Sequence, residues 1–331
     1  MRHPITVHSQ RRMWVLGLGA WGCCLGAIFI APPLQAQTAA ATAEACPPRA
    51  PVPTPALMQT ARQHQADRGF LWRASRDGRD SFVYGTLHAG RPEWLLPGPR
   101  TEAALHRTGA LALEVNPLDS SVREQVRSVD QRPAFALPDG IRRALEAAWR
   151  AECLDMAELR QGPPEWHALR LAVAWAQRQG LFPDFGAEAV LMMRNMRTER
   201  PVVGLETVAL QLDAFLAHTP DEAQRMVDEL LKEHARAGSS EVLSRLVRLW
   251  ADSDWADLER YPEWCDCLRT ESERADFERI VTRRNAGMAD GIERLHADHA
   301  VFAAVGALHL PGERGVLALL QAKGFVLTRV F

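Results

Sequence analysis

One short sequence pattern occurs twice in this chain, and it restricts the possible folds more than any other feature. Residues 84–88 read YGTLH and residues 305–309 read VGALH, and each block ends an apolar run. Both blocks place a histidine, His88 or His309, just after a predicted strand. A preceding glycine permits close approach of the backbone to another group. Because sites of α/β folds gather at strand ends, the repeat predicts a fold that brings the two histidines together, although about 220 residues separate them.

Length and charge limit the possible partners. The 331 residues are 47% hydrophobic, which is enough for a packed core. Thirty-nine basic and 41 acidic residues give a formal net charge of -2. This balance provides no broad basic surface for nucleic acid or for an anionic membrane. The prediction of a partner must therefore rest on local motifs. The expected partner is a peptide or another small-molecule substrate, and the sequence makes no prediction of the oligomeric state.

The N-terminus resembles an export signal. Arg11 and Arg12 precede an apolar run from Met13 to Ala31, and Ala36 is a small residue suited to cleavage. Residues 1–36 are therefore predicted to be a signal peptide, and the protein to be periplasmic or secreted. An uncleaved anchor is the alternative, but four glycines interrupt the run and two prolines follow it. The arginine pair leaves the twin-arginine route open.

After the predicted signal peptide, the composition indicates two further segments, a leader and a folded domain. Residues 37–68 begin with a stretch rich in Ala, Thr and Pro, which predicts a flexible leader. Residues 69–331 are predicted to form a single domain with a largely helical middle at about 138–296.

Four cysteines remain in the mature chain, which favours disulfides in an oxidising compartment. Cys46 with Cys153 is one possible pair, and the sequence leaves all three connectivities open. A zinc site at Cys265 and Cys267 is the alternative. Structural zinc sites space their cysteines by two to four residues, which disfavours it.

Short apolar runs separated by helical patterns predict an α/β fold with a central mixed β-sheet flanked by helices. Asp77-Gly78 lies between two such runs and favours a β-hairpin. The last forty residues indicate a strand, a turn, a helix and a final strand.

Four residues that can bind metals fall at predicted strand ends: His88, Glu114, Glu206 and His309. Either histidine taken singly would be interpreted as structural. Two imidazoles with one or two carboxylates, however, suit a divalent transition metal such as Mn, Co or Zn. Such a metal lowers the pKa of a bound water and polarises a carbonyl, as hydrolysis of a peptide or ester requires. A glutamate that is not a ligand could act as general base.

Other residues and motifs carry less information. Arg284 and Asn285 could orient a carboxylate or stabilise an oxyanion, although the residues alone favour a solvated helix face. The sequence has no HExxH, GxSxG, Walker or GxGxxG motif, so the commoner zinc-protease, serine-hydrolase and nucleotide-binding folds find no support.

The motifs occur together in a characteristic order: FLW at 70–72, YGTLH at 84–88, LE at 113–114, GLET at 204–207 with Gln211, RN at 284–285 with Met288, and GALHLPG at 306–312. In this order they resemble the TraB/GumN family, also called TraB/PrgY/GumN. The resemblance extends from about Gly69 to the C-terminus.

The resemblance implies a fold related to the Tiki metalloproteases and to the erythromycin-esterase and ChaN-like group, in which each half supplies a Gly-x-x-His motif to one site. Tiki-like proteins are divalent-metal proteases that prefer Mn or Co and clip peptide N-termini. By this resemblance, the histidines at 88 and 309 and the glutamates at 114 and 206 match the metal-site residues. Arg284 and Asn285 match the family's polar pair, and Gln211 also falls in place.

We therefore expect an exported metal-dependent hydrolase, a peptidase, whose catalytic residues are Glu114, Glu206, Arg284 and Asn285. The alternative is a non-catalytic periplasmic protein that holds a metal or another ligand, with a possible link to polysaccharide export. The sequence does not identify the substrate or the metal.

Overall fold

The computed structural model describes residues 46–236 and 239–331, so the predicted signal segment lies outside the described part of the chain. The described strands form one six-stranded sheet with the order β4-β3-β5-β2-β1-β6. The strands are β1 (Phe70–Arg76), β2 (Arg79–Thr86), β3 (Ala110–Leu113), β4 (Val202–Gly204), β5 (Val301–Gly306) and β6 (Val326–Arg329).

Helices connect and cover these strands. The described helices are α1 (Pro55–Gln63), α2 (Pro99–His106), α3 (Ser120–Arg127), α4 (Asp139–Ala151), α5 (Pro164–Arg178), α6 (Ala187–Asn195), α7 (Val208–Phe215), α8 (Pro220–His234), α9 (Ser239–Ala251), α10 (Trp255–Glu259), α11 (Tyr261–Trp264), α12 (Glu271–Phe277), α13 (Arg283–Asp298) and α14 (Val316–Ala322). A π-helical turn at Glu278–Thr282 joins α12 to α13, and short 3-10 turns include Ala307–His309.

The predicted hairpin is present. Strands β1 and β2 pair antiparallel, with Arg76 opposite Arg79. The two residues between them, Asp77 and Gly78, have φ values of 52° and 74°. Two consecutive positive φ values define the tight turn whose twist matches that of the flanking strands. The sequence Asp-Gly therefore closes this hairpin because both residues tolerate that conformation.

Four strands run parallel and end at one edge of the sheet. Strand β5 pairs parallel with β2 on one side and with β3 on the other, and β3 pairs parallel with β4. Strands β1 and β6 add an antiparallel part. The prediction of an α/β fold with a central mixed sheet is thus confirmed. Because the carboxyl ends of parallel strands meet, the residues that follow β2, β3, β4 and β5 become neighbours.

Burial explains why this sheet is stable. All residues of β3 and β5 are buried, as expected for parallel strands covered on both faces. Helices α4, α5 and α8 pack on a second apolar cluster of their own, which includes Trp149, Leu171 and Leu230. Within the described residues, only this part of the helical middle has a cluster of its own, because Leu212 of α7 and Met288 of α13 belong to the same core as the sheet.

The segment before the sheet differs from the predicted flexible leader. Within residues 46–68, helix α1 starts at Pro55, and the side chain of Thr54 caps it by accepting from Leu57 N. Ala61 is completely buried and packs with Leu95. Proline at the first helical position and threonine before it are ordinary start signals for a helix. The Pro-rich composition hid these signals, so the described part of the leader belongs to the folded body.

Disulfides add two covalent links. Cys46 bonds to Cys153, the pair proposed from the sequence as one possibility, and Cys265 bonds to Cys267. Because Cys265 and Cys267 are bonded to each other, neither sulfur is available as a zinc ligand in this structure. Among residues 46–236 and 239–331, no helix combines the length and the apolar composition that crossing a membrane requires.

Candidate metal centre

Three side chains converge above Gly306, the last residue of β5. A methyl group added at Gly306 would lie 3.1 Å from His88 Nε2, 3.2 Å from Glu114 Oε1 and 3.4 Å from His309 Cδ2. These atoms therefore border the same small space, which only the absence of a Cβ keeps open. His309 Nε2 lies 3.7 Å from the same glutamate oxygen. The repeated block thus delivers its two histidines, from β2 and β5, to one place.

Both imidazoles are held at the nitrogen that faces away from this space. His309 Nδ1 lies 2.5 Å from Asn285 Oδ1, and Asn285 Nδ2 donates to Arg314 O at 2.9 Å. His88 Nδ1 lies 2.7 Å from Glu188 Oε1. An oxygen acceptor at Nδ1 places the proton there and leaves Nε2 as the nitrogen with a lone pair for a metal.

Glu114, directly after β3, is held in place by several donors. Its Oε1 accepts the backbone N–H of Gly306 at 2.7 Å. Its Oε2 accepts from Arg284 Nη2 at 2.6 Å and from Gln211 Nε2 at 3.0 Å. The carboxylate is only 3% exposed, so these donors replace water. One oxygen of Glu114 therefore faces the histidines while the other is fixed by a cation and an amide.

Glu206, after β4, lies on the far side of the guanidinium. Its Oε2 accepts from Arg284 Nε at 3.0 Å, and its Oε1 accepts from Arg284 Nη2 and from Gln211 Nε2. Arg284 thus lies between the two glutamates, and Gln211 bridges the same pair. A planar guanidinium can bind carboxylates through several N–H groups at once, which suits this arrangement.

Arg284 is completely buried at the start of α13. Its Nη1 donates to Ile280 O at 2.8 Å, inside the π-helical turn. Arg284, Met288 and Ile292 are spaced four residues apart and are all buried. The expectation of a solvated helix face was therefore wrong for Arg284 and Asn285. The apolar spacing of Met288 and Ile292 was the signal that places Arg284 on the buried face.

Burial and neighbouring charges shift the pKa values of the site residues, and the direction differs from one residue to another. Burial lowers the pKa of His309 to about 3, and the positive charge of Arg284 adds to this effect, so the imidazole is neutral. Burial opposes ionisation of Glu114, but Arg284 and the two histidines outweigh it and lower its pKa. For Glu206 burial dominates and raises the pKa. Burial also opposes protonation of His88, yet Glu188 and Glu114 raise its pKa.

The residues present fit a divalent cation. One ligand atom each from His88, Glu114 and Glu188 can be chosen so that all three atoms lie within 4.8 Å of one another, a group that does not include His309. Three carboxylates (Glu114, Glu188 and Glu206) contact the site, where Arg284 is the guanidinium that pairs with two of them. Imidazole and carboxylate donors suit Zn, Mn or Co.

A family comparison covers the same part of the chain. The model of the TraB/PrgY/gumN family matches residues 70–329, which include all six strands. The chain belongs to the TraB/PrgY/gumN family. Comparisons with curated proteins and with solved structures give no match. Within this TraB/PrgY/gumN member, the matched region contains both histidine blocks and the residues that surround them.

The structure of this TraB/PrgY/gumN member brings every predicted site residue into one region. Some of these residues border the space above Gly306, and the others contact those residues. His88, His309 and Glu114 meet above Gly306, while Glu206 contacts Arg284 and Gln211 instead. Asn285 holds His309, and Arg284 holds the two glutamates. The sequence interpretation missed Glu188, which contacts His88 from α6. A glutamate in the first turn of a helix is common, so its sequence position gave no signal.

Proposed function

We propose that this protein is an exported hydrolase that depends on a divalent metal and acts on peptides. The observation that carries the proposal is the meeting of His88 Nε2, Glu114 Oε1 and the His309 ring at one space above Gly306. Two imidazoles and a carboxylate are the ligand types of many catalytic zinc sites. The chemistry that a bound ion supplies there is activation of water and polarisation of a carbonyl group.

The other side chains prepare this ligand set. Asn285 and Glu188 hold the Nδ1 atoms of the two histidines. Arg284 keeps Glu114 ionised and fixes its orientation, and Gln211 supports it. Glu206 accepts from the guanidinium through both oxygens and thereby fixes Arg284. We assign Glu206 to this supporting position and not to the ion itself.

The proposed substrate class and the proposed location of the protein are supported by other observations than the metal site. Peptide is the preferred substrate because the resemblance to the TraB/GumN family implies a relation to the Tiki-type proteases. A periplasmic or secreted location rests on the signal pattern of residues 1–36, and the disulfides Cys46–Cys153 and Cys265–Cys267 agree with an oxidising compartment.

One observation favours the non-catalytic alternative. His309 is completely buried, and His88 and Glu114 are only 6% and 3% exposed. Glu188 is the most open of the charged groups around the space, with 18% of its side chain exposed. A hydrolase must admit substrate to this place, whereas a protein that only holds a metal needs no such access.

Cleavage and metal content separate these functions. The mature protein is purified, its metal is measured by elemental analysis, and a peptide library is incubated with the wild type and with His309→Ala in the presence of Mn²⁺, Co²⁺ or Zn²⁺. We expect bound metal and cleavage in the wild type and loss of both in His309→Ala. His218→Ala is the matched control, because the His218 side chain is exposed and pairs with Asp213, which is also exposed.

Three outcomes of this experiment distinguish the hydrolase from the alternatives. Metal binding without cleavage would support the non-catalytic alternative. Equal cleavage by the wild type and His309→Ala would show that the proposed centre is not the active site. Absence of bound metal, with no thermal stabilisation on adding any of the three ions, would reject both metal-based functions.

A further inference from the structure

Glu188 contacts the candidate centre from a helix that no sequence motif connected with it. Its Oε1 accepts from Thr86 Oγ1 and lies 2.7 Å from His88 Nδ1. The second distance is that of a charge-assisted N–H···O hydrogen bond. We propose that Glu188 is a positioning residue: it keeps the proton of His88 on Nδ1 and directs Nε2 toward the space above Gly306. The effect on metal binding rests on the proposed function, whereas the effect on the ring does not.

The backbone brings Glu188 to this position. Helix α6 begins against the loop that follows β2, because Ala187 N donates to Leu87 O at 2.9 Å. A methyl group at Gly186 would lie 2.2 Å from His88 O, so the helix start and the histidine are in close backbone contact. Glu188 follows two residues later and therefore reaches the His88 ring from the side of Nδ1.

The two ring nitrogens of His88 consequently have different neighbours. Nδ1 contacts Glu188, and Nε2 faces the space that Glu114 and His309 also border. An ion bound by Nε2 must lie about 2.0–2.1 Å from that atom. Glu188 Oε1 lies on the other nitrogen, at hydrogen-bond distance. The geometry therefore favours Glu188 as the partner behind the ligand over Glu188 as a further ligand.

The second histidine has the same arrangement with a different partner. Asn285 Oδ1 lies 2.5 Å from His309 Nδ1. Thus each imidazole has an oxygen acceptor at Nδ1, but His88 has a carboxylate where His309 has a neutral amide. A carboxylate behind a metal-binding imidazole increases the basicity of the ligand nitrogen, and loss of such a partner typically weakens metal binding about 10–100-fold.

The first test measures metal affinity and coordination. Zn²⁺ binding is measured by calorimetry, and the Co²⁺ absorption spectrum is recorded, for the wild type, Glu188→Gln and Glu188→Ala. We expect Glu188→Ala to bind about 10–100-fold more weakly, with a Co²⁺ spectrum like that of the wild type, because the ligands remain. Glu188→Gln should lose less, because an amide oxygen can still accept from Nδ1.

Glu102→Gln is the matched control. Glu102 pairs with Arg194 of the same helix α6 at 2.6 Å. This variant should bind Zn²⁺ like the wild type. A changed Co²⁺ spectrum in both Glu188 variants would show that Glu188 is a ligand and would overturn the proposal. Unchanged affinity in Glu188→Ala would also overturn it.

The second test needs no metal. In the metal-free protein labelled with ¹⁵N, long-range ¹H–¹⁵N spectra at alkaline pH identify which nitrogen of His88 carries the proton. We expect the proton on Nδ1 in the wild type and in Glu102→Gln, and a shift toward Nε2 in Glu188→Ala. The same proton position in all three proteins would overturn the proposal. If the wild type binds no metal, the proposed function fails, and this spectrum alone decides the role of Glu188.

Discussion

Among single residues, Gly306 is the position where an added side chain would meet the side chains of the candidate centre directly. An added Cβ would contact His88 Nε2, Glu114 Oε1 and His309 Cδ2 at 3.1–3.4 Å, which forces these groups apart. We predict that Gly306→Ala folds but binds Zn²⁺ or Co²⁺ about 10–100-fold more weakly, the range seen when the surroundings of metal ligands are disturbed. Isothermal titration calorimetry measures the change.

Gly287→Ala is the control for this variant. Gly287 lies in α13, and an added Cβ would meet no atom within 4 Å. The metal affinity should not change, and the free energy of unfolding should rise by about 0.4–1 kcal/mol because alanine restricts the unfolded chain. Equal affinities of Gly306→Ala and the wild type would contradict the placement of the ion.

Arg284 gives a second prediction at this scale. The side chain lies between two buried glutamates, so Arg284→Met leaves both carboxylates without their cation. We expect the free energy of unfolding to fall by about 3–5 kcal/mol, the usual cost of removing one partner of a buried ion pair. Urea denaturation of the metal-free protein measures this loss.

The neighbouring arginine provides the comparison. Arg283 is exposed, so Arg283→Met should change the free energy of unfolding by at most about 0.5 kcal/mol. Similar losses in both variants would mean that the buried ion pairs contribute nothing specific.

The residue scale also shows where sequence interpretation works and where it does not. The two histidines and Glu114 were predictable because they follow buried strands, and strand ends of parallel sheets meet. Glu188 was not, because it is an ordinary glutamate in the first turn of α6, and its partner His88 is distant in sequence. Its role depends on where α6 docks, which no local pattern encodes.

At the scale of elements, the β1–β2 hairpin depends on the backbone of its turn. Gly78 has a φ of 74°, and an added Cβ would meet no atom within 4 Å. Gly78→Ala therefore tests conformation alone, and we expect the free energy of unfolding to fall by about 1–2 kcal/mol, the cost of a left-handed conformation for an L-residue.

Gly140 is the matched position for this test. It lies in α4, also in open space, and is not among the described glycines with positive φ. Gly140→Ala should stabilise the protein slightly, since alanine is the better helix former. Urea denaturation should show opposite signs for the two variants, and equal effects would contradict the role of the turn.

Elements with local signals were the predictable ones. The Asp77-Gly78 turn and the strand before Glu114 both occur as the sequence indicated. The spatial order of the strands carried no such signal, because β5 inserts between β2 and β3 although it comes much later in the chain. Long-range pairing of this kind depends on the whole core.

For the whole molecule, the Cys46–Cys153 disulfide ties residues before α1 to the helical middle, across 107 residues of sequence. We predict that Cys46→Ala with Cys153→Ala lowers the free energy of unfolding by about 2–5 kcal/mol. The double variant Cys265→Ala with Cys267→Ala should lose less free energy of unfolding, because these two cysteines have a sequence separation of only 2 and their bond closes a very short loop. Denaturation curves under oxidising conditions compare them, and a larger loss in the second variant would contradict this account.

The extent of the folded body was also misjudged from composition. Residues 46–54 are rich in proline and were assigned to a leader, yet Cys46 is bonded to Cys153 and α1 follows. Composition describes the average tendency of a segment. A single disulfide and a capped helix are enough to order it, and neither is visible in that average.

The central claim is that a divalent ion binds above Gly306 between the two ends of the chain. Anomalous diffraction from crystals of the mature protein with saturating Zn²⁺ or Co²⁺ tests it most directly. We predict an anomalous peak about 2.0–2.2 Å from His88 Nε2, His309 Nε2 and an oxygen of Glu114. Peaks only at other positions, or no peak at this one, would contradict the account.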